Sequence, residues 1–334
     1  MQCLRHERGT DDMKENESRY SRQEILPEIR ESGQKKIEKA TIAIIGLGAL
    51  GTVAAELLAR AGIGTLMLID RDCIEQTNLQ RQILYREKDI GRSKAIVAAE
   101  RLEEINSKIK IMPSAIHVNS ENITPLRNVD LILDCTDNIE TRLLLNDFCK
   151  KEKKKWIYGA AIKTKGFCAF FEPNGPCFRC FMQEAALETC ETAGVLNTIT
   201  TTIAAFQTTL AIQSIIGERM EKKLYYFDSW KHIFRTLTLK RNKDCPVCRG
   251  KYVFLNKKED AQLIKFCSTG RFQFKAKKIN FALLKKRWKN LGPVEEDGQT
   301  LSFRDLLLFK DGRILIKAKT EEEAKILFSK WIGN

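Results

Sequence analysis

Two cysteine pairs are the first sign of chemistry in this chain. Cys177-Phe-Arg-Cys180 and Cys245-Pro-Val-Cys248 are separated by 64 residues. Four thiolates in two CxxC pairs suit a tetrahedral zinc ion with no open position, which makes the metal structural rather than catalytic. A simple zinc ribbon sets its knuckles about 15–20 residues apart, so this longer gap implies a metal that staples a returning segment to an earlier one. Four ordinary buried cysteines, or a redox pair, are the competing readings. A second signal is Gly46-Leu-Gly48-Ala-Leu-Gly51. In such a loop the first glycine makes the tight turn, the second lets backbone approach phosphate and the third allows close helix packing. The helix N-terminus that follows offers N–H groups to an anion. Asp70 comes 19 residues after Gly51, where a ribose-binding carboxylate is expected. Alone, the loop suggests a nicotinamide cofactor, or a glycine-rich turn with no ligand.

The residues after Asp70 fit a different ligand. Asp72, Asn78, Gln80, Arg81 and Lys94 flank the second strand–helix connection. Two cations with amide side chains suit a triphosphate better than a single pyrophosphate. Leu131-Ile-Leu-Asp134-Cys135-Thr136-Asp137-Asn138 then sets carboxylates just past the C-terminal end of a strand, the edge where open α/β sheets bind ligands. An exposed carboxylate there, beside phosphates, is a natural Mg²⁺ ligand. A helix cap by Asp137 or Asn138 is the plainer alternative.

Positioning these residues takes strands that alternate with helices. Thr41 to Gly46 is a β-branched run that stops at glycine, as a buried parallel strand does. Ala49 to Ala61 reads as a helix closed by Gly62 and Gly64, and Thr65 to Asp70 as a second strand. Ser93 to Asn106 is a helix with a serine cap, Leu131 to Asp134 a strand, Ile139 to Lys150 a helix and Trp156 to Gly159 a strand. Arg19 to Lys36 reads as one further helix. The alternation predicts an α/β, Rossmann-like, mostly parallel sheet. Beyond Arg249 the character changes to phenylalanines among lysines, with an Asp311-Gly312 hairpin signal and a Thr320/Glu323 capping box for a last helix through Trp331. Three segments follow: a tail over 1–17 expected to be disordered, an α/β unit over 18–250, and a small α+β domain over 251–334.

At 334 residues the chain is long enough for one large and one small domain. Its most apolar stretch, Val195 to Gly217, is interrupted by Asn197, threonines, Gln207 and Gln213, so a buried helix is expected rather than a membrane span. The N-terminal residues lack the apolar core of a secretory signal, and Met13 offers an alternative start. A cytoplasmic, reducing setting is therefore expected, without a disulfide framework for the 11 cysteines. A formal charge of +14 points to acidic partners; the lysine runs 150–155 and 275–289 read as solvated faces. Only Phe272, Phe274 and those later lysines hint at nucleic acid, which is not expected as a partner.

Taken together, these residues resemble a known family. Tyr20-Ser-Arg22-Gln23, the Gly46–Gly51 loop, Asp70…Asn78-Leu-Gln-Arg81-Gln, Gly91-Arg-Ser-Lys94 and Cys135-Thr-Asp137-Asn138 occur in order before the CxxC pairs. Over residues 18–250 the chain is similar to the ThiF/MoeB/HesA family, prokaryotic relatives of ubiquitin-activating enzymes. Phe266-Cys267 and Phe309-Lys-Asp-Gly-Arg313 are similar to a C-terminal extension of some members. The resemblance implies ATP as substrate, with phosphate at Gly46, Gly48 and Gly51, ribose at Asp70, and the phosphate chain at Asn78, Arg81 and Lys94. Asp137 would hold Mg²⁺, and Cys177, Cys180, Cys245 and Cys248 would hold Zn²⁺. Arg22 would reach the partner's nucleotide in a homodimer. Cys190, in Glu188-Thr-Cys190-Glu-Thr-Ala-Gly194, matches a cysteine that some relatives use covalently.

The implied reaction is adenylation of the C-terminal glycine of a ubiquitin-like sulfur carrier protein ending in Gly-Gly. The activated carbonyl then takes sulfur from a desulfurase or persulfide donor, or is attacked by a thiol. Such enzymes serve thiamine, molybdopterin and tRNA-thiolation pathways and archaeal-type protein conjugation. Because the attacking carboxylate is ionised at neutral pH, no general base is needed. That agrees with His6, His117 and His232 all lying apart from these motifs in sequence. The rival readings are a nicotinamide-dependent oxidoreductase, which leaves Arg81, Lys94, Asp137 and the zinc cysteines unexplained, and a non-catalytic zinc-containing binding module.

Overall fold

The run from Thr41 to Ile45 forms β1 (Thr41–Ile45), at the heart of an eight-stranded sheet. The computed structural model describes residues 18–182, 193–257, 264–266, 271–276, 279–297 and 299–333; the expected tail over 1–17 and Cys190 lie outside these. From β1 the chain passes through α3 (Ala49–Ala61) to β2 (Thr65–Ile69), then through α4 (Lys94–Ile105) to β3 (Lys110–Ser114). It returns across the sheet to β4 (Leu131–Asp134), α5 (Ile139–Lys151) and β5 (Lys155–Ile162). Antiparallel strands β6 (Lys165–Phe171), β7 (Lys223–Asp228) and β8 (Ile233–Thr238) complete the order β3-β2-β1-β4-β5-β6-β7-β8.

Both faces of the parallel strands are covered, which is why they read as continuous apolar runs. Ile42, Ile44, Leu66, Leu68, Leu131 and Leu133 pack in one core with α3, α4 and α6 (Asn197–Ile216). Ala43, Ile45, Ile69, Ile132 and Trp156 pack in a second core with α5. By length and composition α6 could cross a membrane, but Ile199, Ile203, Ala204, Leu210 and Ala211 are buried in the first core. Its threonines return their hydroxyls to backbone carbonyls, as Thr201 does to Asn197 (3.1 Å) and Thr208 to Ala204 (2.9 Å).

Four local expectations change. The helix expected over Arg19 to Lys36 is two, α1 (Ser21–Glu24) and α2 (Arg30–Ile37), with Arg30 at φ +55°. Pro27 lies between them, and proline disfavours helical backbone at the residue before it. Ser93 stands at the N-cap of α4, but its side chain makes no cap bond and its hydroxyl is buried without a partner. Thr320 does cap the last helix, accepting from the Glu323 N–H, whereas the Glu323 carboxylate accepts from the N–H of Lys319 rather than that of Thr320. Of the lysine run 150–155, Lys150 and Lys154 turn back onto carbonyl oxygens of Gly175 and Val129 (both 2.9 Å).

Near its C-terminus the chain builds a second, antiparallel sheet. Its strands are β9 (Ile264–Phe266), β10 (Arg271–Lys275), β11 (Val294–Glu296), β12 (Thr300–Phe303), β13 (Leu306–Phe309) and β14 (Arg313–Lys317), in the order β11-β12-β13-β14-β10-β9. Strand alternation gives this sheet two buried faces. Leu301, Phe303, Leu306, Leu308, Ile314 and Ile316 pack with Trp288 of α7 (Phe281–Trp288) and Trp331 of α8 (Glu321–Trp331). Leu307, Phe309 and Leu315 face the other way and join the first core of the large sheet. Phe272 is buried and Phe274 stacks on Phe328 at 4.8 Å, so neither forms an exposed platform for bases.

Candidate active site

The chain runs outward from β1 to β2 and β3, then restarts on the other flank at β4. The strand order therefore reverses between β1 and β4, the switch point at whose C-terminal strand ends open α/β sheets bind ligands. Gly46 ends β1 at φ +90°, and a Cβ there would lie 2.9 Å from the carbonyl oxygen of Cys135, just past β4. At Gly51 a Cβ would stand 1.9 Å from the oxygen of Gly46, so glycine is required for α3 to start this close to the turn. Around Gly48 the nearest atom to a Cβ would be Nε2 of Gln82, at 3.8 Å. Gly48 is also the N-cap of α3 and supplies no side-chain cap, which leaves the first-turn N–H groups for a ligand.

Asp70 ties this loop to β2. It is buried, and its two carboxylate oxygens accept from the N–H of Leu47 (2.5 Å) and of Asp72 (2.7 Å). Burial pushes the Asp70 carboxyl up, opposed by Lys94 and those two amides. Lys94 is itself buried at the start of α4, with its ammonium 3.6 Å from Asp72. Burial pulls the Lys94 ammonium down, but Asp72, Asp70 and Asp137 outweigh it and hold the pKa above the usual lysine range. Lys94 therefore keeps its charge at neutral pH, beside Asp72 just past the end of β2. Asn78 is buried and accepts from the Glu75 N–H (3.1 Å), and Arg81, half-buried, donates to the Thr77 carbonyl (2.8 Å).

On the β4 side Asn138, Asp137 and Asp134 separate by role. Asn138 caps α5, accepting from the Thr141 N–H (3.1 Å), and Asp137 is exposed at the sheet end. Asp134 is fully buried and pairs with Arg142 (3.3 Å). Arg142 also donates to the carbonyls of Thr136 and Gly159 and lies 5.1 Å from the Tyr158 ring centre, so it pins the turn that carries Asp137. Arg22 is exposed on α1. Its neighbours anchor that helix: Tyr20 is buried and accepts from Asn106 (2.9 Å), and Gln23 donates to the Ala61 carbonyl (3.1 Å).

Some of the site was not legible in the sequence. Gln82 is buried with its Nε2 turned toward Gly48 and its Oε1 without a hydrogen-bond partner. Tyr85 donates to the Leu47 carbonyl (2.9 Å) and lies 3.2 Å from that of Lys94, joining the glycine loop to α4. Arg142 had one signal, a lone cation in a helix stretch otherwise built to be buried. His117, apart from the motifs in sequence, is brought to Arg71, with Nδ1 3.4 Å from the guanidinium. It thus stands beside the Asp70 segment, facing a cation.

The four cysteines of the CxxC pairs come together beside Asn146 of α5. Their Sγ atoms all lie within 4.8 Å of one another. Neighbouring sulfurs are 3.5 Å apart for Cys177–Cys245 and for Cys180–Cys248, and 3.8 Å for Cys177–Cys180. A zinc ion with bonds of about 2.3 Å has tetrahedral edges of about 3.8 Å, so the cluster fits zinc and is too wide for disulfides. Asn146 supports it from α5, donating to Cys177 Sγ (3.8 Å) and accepting from the Phe178 N–H (2.9 Å).

Comparison with known proteins agrees with this architecture. The model of the ThiF family matches residues 20–247, which take in the glycine loop, both carboxylate edges and the first three zinc-type cysteines. The chain belongs to the ThiF family. Within it, the chain is 37% identical to the sulfur carrier protein ThiS adenylyltransferase of Bacillus subtilis (strain 168), over 94% of this chain and 99% of that protein. It is 34% identical to the SAMP-activating enzyme E1 of Haloferax volcanii, over 69% of this chain and 88% of that protein. A third relative, the sulfur carrier protein adenylyltransferase of Thermus thermophilus, is 34% identical over 70% of this chain and 92% of that protein. Among solved structures, E. coli MccB with ATP superposes with a TM-score of 0.63 at 23% identity, covering 71% of this chain and 75% of that one. That likeness speaks for the shared ThiF-type fold alone.

Proposed function

We propose that this chain is an ATP-dependent adenylyltransferase that activates the C-terminal glycine of a ubiquitin-like sulfur carrier protein ending in Gly-Gly. The observation that carries the reading is the buried Lys94 paired with Asp72, next to the Asp70 carboxylate that holds the open glycine turn at one sheet edge. The Bacillus relative, which matches along nearly the whole chain, is named for that activity on ThiS. In this reading the Gly46–Gly51 loop and the first turn of α3 receive phosphate oxygens, and Asp70 receives the ribose. Asn78, Arg81 and Lys94 grip the phosphate chain, and Arg22 reaches the nucleotide of a partner protomer in a homodimer. Asp137 would hold Mg²⁺, which supplies charge neutralisation on the phosphates when bound. Cys177, Cys180, Cys245 and Cys248 would hold a structural zinc.

The carrier carboxylate attacks the α-phosphorus of ATP; the bond to the bridging oxygen breaks and pyrophosphate leaves. The nucleophile is already ionised, so this chain's residues act by orientation and by stabilising charge on the transferring and leaving phosphates. The acyl-adenylate then yields its carbonyl to a sulfur nucleophile, from a desulfurase or persulfide donor or from Cys190, with AMP as leaving group. A nicotinamide oxidoreductase would give Lys94 and Arg81 no task. The test is ATP–pyrophosphate exchange with and without a Gly-Gly-ended carrier, followed by non-reducing and reducing gels beside Cys190→Ala. Exchange that needs the carrier is expected. Exchange that never appears with any such carrier refutes adenylation, and full sulfur transfer by Cys190→Ala with no adduct in either protein removes the covalent role alone.

A further inference from the structure

The family match ends at residue 247, yet a side chain from the second sheet reaches the first. Arg313 opens β14 on the face it shares with Leu315, the face turned toward the core of the large sheet. It is only 4% exposed. Its Nη1 donates to the carbonyl of Arg71 (2.9 Å), Nη2 to that of Ala115 (2.5 Å), and Nε to Asp311 (2.7 Å). The Phe309 ring backs the guanidinium, 4.2 Å from its centre. Arg71 follows Asp70, and Ala115 follows the end of β3, so one guanidinium clamps the ends of two adjacent strands.

The hairpin before Arg313 is built to aim it. Gly312 stands at φ +91°, and a Cβ there would meet the Ala276 carbonyl at 2.3 Å. Asp311 accepts from the Arg313 N–H (3.1 Å) as well as from its side chain, so the turn residue also orients the fork. The strand segment that Arg313 grips carries the proposed nucleotide site. The N–H of Asp72 donates to Asp70, the Asp72 carbonyl accepts from the Lys94 N–H (3.0 Å), and the Asp72 carboxylate pairs with the Lys94 ammonium. Burial pushes the Asp72 carboxyl up, but Lys94, Arg71 and Arg313 outweigh it and hold it below its usual range.

We propose that Arg313 is a positioning residue of the nucleotide site: it holds the Arg71–Asp72 peptide, and through it Asp70 and Lys94, in the geometry that receives ATP. The proposal rests on the ATP-dependent reading above. It gives the second sheet a task in the reaction, although the family match does not include that sheet. Lysine is a poor substitute, because a point ammonium cannot serve two carbonyls and a carboxylate in the planar fork that guanidinium provides.

The test uses the full chain with ATP, Mg²⁺ and carrier, and compares Arg313→Met, Arg313→Lys and Leu315→Ala. Arg313→Met is expected to raise the KM for ATP on the order of tenfold, as loss of buried charge-assisted hydrogen bonds would, with kcat changed much less. Calorimetric titration with ATP alone should show the same weakening. Arg313→Lys should fold and recover part of the loss. Leu315→Ala removes packing on the same face, so it should lower the Tm while leaving the KM for ATP unchanged. An unchanged KM in folded Arg313→Met, or in Arg313→Lys if the methionine variant fails to fold, overturns the proposal. So does an equal rise in Leu315→Ala, which would reduce Arg313 to interface packing. If the wild-type chain binds no ATP, the reading of the site fails and the proposal with it; ATP binding that ignores both Arg313 variants refutes the proposal alone.

Discussion

Replacing Arg142 with methionine isolates the charge that holds the β4 turn. Asp134 is 0% exposed and Arg142 7%. In the native chain one Asp134 oxygen accepts from the Thr136 N–H (3.0 Å) and hydroxyl (2.7 Å), and the other from Arg142 Nε (3.3 Å). Methionine keeps most of the stem's packing but leaves that second oxygen, and the carbonyls of Thr136 and Gly159, without this donor. Breaking a buried pair from one side costs about 3–5 kcal/mol, because an uncompensated charge stays in low dielectric. Asp134→Asn/Arg142→Met should regain much of that loss, since the cost lies in the orphaned charge rather than in the missing pair. The effect has a definite pH dependence. Burial already pushes the Asp134 carboxyl up, against Arg142 and Thr136, and removing Arg142 raises it further. A carboxyl whose folded-state pKa is raised contributes stability below its unfolded value that is lost as pH rises through the folded one. The stability gap between wild type and Arg142→Met should therefore widen as the pH is raised from an acid value to a neutral one. Urea denaturation at both pH values measures it. A gap under about 1 kcal/mol at the higher pH, or one equal at both, refutes the reasoning.

Other outcomes follow from the same structure. Elemental analysis should find one zinc per chain, absent from Cys177→Ser/Cys245→Ser, and chelation should lower thermal stability before it touches the chemistry. Asp137→Ala should cut carrier-dependent ATP–pyrophosphate exchange roughly 10²- to 10³-fold; undiminished exchange takes Asp137 out of the site. Burial pushes the Asp147 carboxyl from 3.8 to about 6, although the Phe254 N–H donates to it. Its extra stability, about 3 kcal/mol, is present at low pH and lost as pH rises through about 6. Asp147→Asn should flatten that part of a Tm-against-pH profile; an unaltered slope assigns the titration elsewhere.

The sequence by itself determined what depends on near neighbours. The helix expected over Ala49 to Ala61 has those bounds in the structure, because a glycine turn before it and Gly62 after it act within a few residues. Strand type was legible from β-branched runs, and the cysteine cluster from the spacing of its pairs, since tetrahedral zinc constrains ligand type more than separation along the chain. The Asp-Gly hairpin was visible for the same local reason. Where proline broke a helix, at Pro27, the apolar periodicity on either side hid the break. Tertiary structure alone decided which polar residues at each sheet edge meet. Asn138, Asp137 and Asp134 share one short run, yet one caps a helix, one is exposed and one is buried against Arg142. Arg313 reaches carbonyls 242 and 198 residues away. A guanidinium's partner over such a separation is set by how two sheets pack face to face, and no periodicity or spacing within either segment encodes that contact.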